Sequence, residues 1–140
     1  MPLFEPREKL YRRYHRDHLV NGVLTPLGFK FPRQSVNRSK FSLPSDALEA
    51  DCWEGKVLEG FGVLEFLVAD IPDPVSSEDG REYRFLMKHA PTDTCYAHSE
   101  IWCRLQVAAL DGYDEPPKNV KEKFRARLAQ RVTVAIPAPE

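Results

Sequence analysis

No stretch of this 140-residue chain approaches the ~20 consecutive apolar residues that a membrane-crossing helix requires, so no helical span is expected. Its seven glycines never gather into a phosphate-cradling run, which removes the nucleotide-binding loops from consideration. No serine sits in the glycine-flanked turn of a hydrolase nucleophile elbow. Three cysteines are an odd count and form no disulfide framework, so a reducing cytoplasm is the expected compartment. The opening residues, MPLFEPREKLYRRYHRDH, lack an apolar core and do not read as a secretory signal. Internal repeats, low-complexity segments and heptads are also missing.

What is present is ordinary for a folded domain: 42% hydrophobic and 29% charged residues. At this length one domain spanning 1–140 is expected. Twelve prolines disfavour a helical bundle, because interior proline breaks helices and ladders alike. The net charge of −1 hides a segregation: residues 1–41 carry +6, residues 42–117 carry −11 and residues 118–140 carry +4. Basic ends around an acidic middle either neutralise each other within the fold or offer a basic surface to an anionic partner.

Leu10, Tyr11, Tyr14 and His18 recur at helical spacing beside a basic stripe of Lys9, Arg12, Arg13 and Arg16, predicting a helix over 6–18. That stripe reads as phosphate contacts or as a solvated helix face. Leu27–Phe31 alternates as a short strand. The donor-rich segment from Gln34 to Lys40 reads as a loop, in which Ser35, Arg38 and Ser39, with Arg12, are candidate anion-binding residues. The plain alternative is a turn whose hydroxyls bond their own backbone. Ser45 begins a short helix through Leu48, and Val63–Ile71 is a strand buried on its Leu64, Phe66, Val68 face. Tyr83–His89 is a further strand. Val120, Phe124 and Leu128, spaced by four, predict a helix over 119–130, and 132–136 closes the chain as a strand.

The chemistry concentrates in Lys88–Leu105, KHAPTDTCYAHSEIWCRL. Read with period two, residues 97–107 place Ser99, Ile101 and Cys103 on one face and His98, Glu100 and Trp102 on the other. His98 and Glu100 then lie about 6.8 Å apart along one strand face. With His89 they are the candidate catalytic residues, an acid–base set that also suits a divalent metal. The bland reading is a solvated strand face. His89, Cys95, His98 and Cys103 do not have zinc-finger spacing, and the five-residue separation of His98 from Cys103 puts them on opposite faces. No particular metal or cofactor is implied.

The order LYRR, TPLGF, QSVNRSKFSLPSDAL, GFGVLEFLVADI, HAPTDTCYAHSEI, RARLAQRV resembles a group of small uncharacterised bacterial proteins. That resemblance implies a bacterial source and a compact single domain; it supplies no activity and no residue roles. A weaker one, to ADP-ribosyltransferase-like folds, rests on Arg12, Ser35 and Glu100. It departs from those folds because Arg12 falls on a predicted helix where they use a strand.

The expected architecture is therefore α+β: a single domain, mainly antiparallel sheet of about four to six strands, with an N-terminal and a C-terminal helix. The expected function is that of a small soluble bacterial accessory protein working through a protein partner or an anionic one. Nucleic acid would be reached through the basic helices, and no membrane is involved. The alternative is an enzyme using the His/Glu pair on the 88–105 hairpin, hydrolase-like, nuclease-like or ADP-ribosyltransferase-like.

Overall fold

The computed structural model describes residues 4–20, 23–24, 29–48, 60–105 and 112–139. In chain order its strands are β1 (Lys9–His15), β2 (Leu19–Val20), β3 (Val23–Leu24), β4 (Arg33–Arg38), β5 (Phe61–Leu67), β6 (Val75–Ser76), β7 (Glu82–His89), β8 (His98–Leu105) and β9 (Thr133–Ile136). One α-helix, α1 (Lys118–Ala129), precedes β9. Seven strands form a sheet in the order β6-β7-β8-β4-β1-β5-β9, while β2 and β3 pair separately. Every neighbouring pair is antiparallel.

The expected N-terminal helix does not form. Residues 9–15 are a strand near the centre of the sheet, paired along their whole length with β5, so the two-helix α+β arrangement is incorrect. The physical reason lies in the spacing. Leu10 and Tyr14 are four apart, and four is close to a helical turn yet also an even number, so the pair shares a face in either period. Long-range pairing decided between them. The expected loop at 34–40 is likewise replaced over most of its length by β4, held between β1 and β8. Of the strand expected at 27–31, residues 27 and 28 lie outside the described residues, and Phe29–Phe31 is not in a strand.

Other expectations hold. Alternation in β8 buries Ser99, Ile101 and Cys103, although residues 106 and 107 lie outside the described residues. Strand β5 buries Leu64 and Phe66 but ends at Leu67, before a turn of 3-10 helix at Val68–Asp70. A second such turn spans Pro44–Leu48. Helix α1 buries Val120, Phe124 and Leu128 against the sheet. There the Phe124 ring lies 4.3 Å from that of Phe85 and 5.1 Å from that of Phe31. The main core combines these with Leu10 and Tyr14 of β1, Val36 of β4, and Ile101 and Cys103 of β8. Beyond the other face of the sheet, Tyr11, Ala47 and Val63 form a smaller cluster.

The last strand depends on one glycine. A Cβ on Gly62 would run into the backbone of Ile136, Pro137 and Ala138, so only glycine lets the C-terminal segment lie this close to β5. Tyr14, the register partner of Gly62, accepts a hydrogen bond on its hydroxyl from the Ala138 N–H at 2.9 Å.

Candidate functional site

Register distributes the candidate residues between the two faces of the sheet. Strand β4 pairs with β8 so that Ser35 lies across from Glu100 and Asn37 across from His98. Strand β7 pairs with β8 from the other side, with Lys88 across from Glu100 and His89 across from Ser99. Ser35, His98 and Glu100 therefore share the outer face. Arg38 and His89 belong to the inner, core-side face. The sequence had assigned Ser35 to one site and His98 with Glu100 to another; the sheet merges them and separates His89.

On the outer face the His98 ring is held at both nitrogens. Its Nδ1 lies 2.7 Å from the Ala90 carbonyl oxygen and its Nε2 lies 3.2 Å from Ser35 Oγ. A carbonyl only accepts, so Nδ1 carries the proton and donates it. In the neutral ring Nε2 is then the acceptor, and the Ser35 hydroxyl donates to it. Glu100 is engaged elsewhere: its Oε1 accepts from the Trp102 indole at 3.1 Å and its Oε2 lies 3.7 Å from Arg33 Nη1. Asn37, two residues beyond Ser35 on the same face, is buried, and its Nδ2 has no acceptor among the described residues.

Farther along β8 from His98 this face becomes aromatic and cationic. The Trp102 and Tyr113 rings meet edge to face at 5.3 Å. Arg33 lies 4.9 Å from the Tyr113 ring centroid and Lys88 lies 5.5 Å from that of Trp102. Leu86 is 38% exposed and Tyr113 42% exposed.

The inner face holds a different cluster. Arg38, 0% exposed, donates through Nε and Nη2 to the two carboxylate oxygens of Glu8 at 2.8 and 2.7 Å. Its guanidinium lies 3.8 Å from the Phe4 ring centroid and 5.1 Å from that of Phe41. His89 packs beside it against Phe41 and Tyr96, with Nδ1 3.4 Å from Ser99 Oγ. Burial lowers the His89 pKa below the usual histidine value, and the positive charge of Arg38 adds to the effect. Arg12, also buried in the core, donates to the Arg13 carbonyl at 3.1 Å and approaches the Phe29 ring. Burial brings its pKa down to about 10. Ser39 Oγ accepts from the Lys9 N–H at 3.1 Å and lines a cleft of about 300 Å³ with Glu5, Arg7, Glu8 and Lys40.

The four expected anion-binding residues thus go to separate places. Arg12 is on a strand, as an ADP-ribosyltransferase-like arrangement would want, but it faces the core while Ser35 and Glu100 face outward. The basic surface expected from two helices is not formed: β1 replaces one of them, Arg38 is ion-paired inside, and Arg125 donates to the Phe29 carbonyl at 2.9 Å.

The cysteines correct another expectation. Cys95 is disulfide-bonded, so the argument for a reducing compartment from an absent disulfide framework no longer stands. Cys103 is a free thiol, 0% exposed on the core face, and burial pushes its pKa up to about 12. A thiol in that state is not a nucleophile. Iodoacetamide at pH 8 is expected to leave Cys103 unmodified in the folded protein and to alkylate it only after denaturation, as read by peptide mass. Rapid modification of the folded protein would show that the β8 face is open. Among the described residues no group of three His, Cys, Asp or Glu side chains is arranged to hold a metal ion, and no helix is long and apolar enough to cross a membrane.

No family model, curated protein or solved structure matches the chain.

Proposed function

We propose that this is an accessory protein that binds an acidic protein segment through the outer face of β4, β8 and β7. The observation that carries the reading is the cluster of Arg33, Tyr113, half-buried Trp102 and Lys88 on this face. Tryptophan, tyrosine and arginine are the side chains that most often dominate binding energy at protein interfaces. The three strands direct Arg33, Arg84, Lys88 and Arg104 to this face against Glu82 and Glu100, and with Arg84 ion-paired to Asp73 at 2.8 Å a small positive excess remains to favour an anionic partner.

A single-stranded nucleic acid would need ring faces free for bases to stack on. Here Lys88 lies over the Trp102 ring, Arg33 lies over the Tyr113 ring, and the two rings meet edge to face. That arrangement favours carboxylates reaching the cations at the rim, with apolar side chains resting on Leu86 and the ring edges.

Fluorescence anisotropy with a labelled oligoglutamate peptide tests the reading. Binding is expected to weaken as salt is raised, and Trp102→Ala and Arg33→Glu are each expected to weaken it by about tenfold or more. Equal affinity in the variants, or no binding at low salt, overturns it. Preference for an oligothymidylate of similar length would replace the protein partner with a nucleic acid.

A further inference from the structure

The geometry points to Ser35 as an activated nucleophile, with His98 as its general base, able to accept the acyl group of a small carboxylic ester. This goes beyond the partner-binding reading and does not depend on it. A serine hydroxyl is a weak nucleophile unless an adjacent base takes its proton, and that base works only in the right tautomer. Both conditions are met here. The Ala90 carbonyl fixes the proton of His98 on Nδ1 at 2.7 Å, leaving the Nε2 lone pair toward Ser35 Oγ at 3.2 Å.

The sheet supplies the setting. Ser35 and His98 come from adjacent strands, 63 residues apart in the chain, and both remain partly exposed on the outer face. Asn37, the register partner of His98, is only 2% exposed, with its Oδ1 3.7 Å from Cys95 Sγ and its Nδ2 without an acceptor among the described residues.

In the first step Ser35 Oγ bonds to the ester carbonyl carbon while its proton passes to His98 Nε2. Collapse of the tetrahedral intermediate breaks the carbon–oxygen bond to the leaving group, and the alcohol departs with the proton from Nε2. Water then attacks the acyl-serine and gives a proton to Nε2, which returns it to Ser35 Oγ as the carboxylic acid leaves. The net reaction is ester plus water to acid plus alcohol.

Diisopropyl fluorophosphate probes the first step, because Ser35 Oγ would form a bond to phosphorus as fluoride leaves and the proton goes to Nε2. Intact mass and peptide mapping are expected to find one adduct, on Ser35. Ser35→Ala should remove it and should also abolish hydrolysis of p-nitrophenyl acetate above background. His98→Ala should slow labelling by on the order of 100-fold. His98→Gln guards against a misfolded variant: its neutral amide fills the place of Nε2 beside Ser35 but takes up no proton, so labelling should slow equally with the melting curve preserved. No adduct on Ser35 in the wild-type protein, or undiminished labelling in folded His98→Gln, overturns the assignment.

Discussion

Arg38→Ala should destabilise the protein by about 3–5 kcal/mol, because it strands the Glu8 carboxylate in a site built for an ion pair. Arg38 is wholly buried, and the Glu8 side chain is 7% exposed. Two parallel hydrogen bonds tie the guanidinium to the carboxylate, and the Phe4 ring lies over it. Glu8→Ala should cost a similar amount for the mirror-image reason. The double variant Arg38→Met, Glu8→Leu should be less destabilised than either single alanine variant, since it leaves no buried charge behind. Arg38→Lys should not rescue, because an ammonium cannot reproduce the planar two-point contact. Urea unfolding of the four variants measures this directly. If the double variant loses the sum of the two single losses, the two side chains contribute independently and the buried-charge argument fails.

Phe124→Ala should lose a comparable 3–5 kcal/mol, the range for deleting a fully buried aromatic ring. Phe124 is 1% exposed at the middle of the helical stripe, with Val120 and Leu128 buried one turn to either side. Its ring spans from Phe31 to Phe85, so its removal opens a void where α1 meets β7 and the segment before β4. The denaturation midpoint should fall while the denaturant slope stays constant. A loss below about 1 kcal/mol would mean that the helix settles into the gap or packs less tightly than these ring distances indicate.

The parts of the fold that were legible in the sequence share a property: their polar and apolar residues obey one period without conflict. In β8 the buried set Ser99, Ile101, Cys103 is small or apolar throughout. In α1 a strand period would bury Glu122 between Val120 and Phe124, so the buried set Val120, Phe124, Leu128 fits only the helical period. Strand β1 was illegible because it buries Arg12 between Leu10 and Tyr14, which breaks the alternation that would have marked it. Strand β4 hid for the same reason, burying Gln34 and Arg38 on its core face. The Glu8 carboxylate, 30 residues from Arg38 in the chain, makes that second burial tolerable.

The site was half legible. Parity placed His98 and Glu100 on one face of β8, but the partner of His98 is a serine in what had been read as a loop. No spacing rule links two residues whose contact is created by strand order. The division between His89 and His98 was not readable: they are nine positions apart, and the turn between their strands decides whether that number keeps or reverses the face.

An open sheet invites other chains to extend it, and the close seating of β9 over Gly62 bears on that hazard. Strand β9 forms one edge of the sheet, and its residues Thr133–Ile136 are mostly β-branched, with Val134 46% exposed. Such a segment is a template for fibrous association unless its ladder is cut short. Here it is cut short: Pro137 follows at once and has no N–H to offer an incoming strand. At the opposite edge β6 is only two residues long and Pro74 stands immediately before it. A foreign strand arriving at either side would run out of partners within a few residues, which favours separate molecules over sheet-to-sheet growth at high concentration.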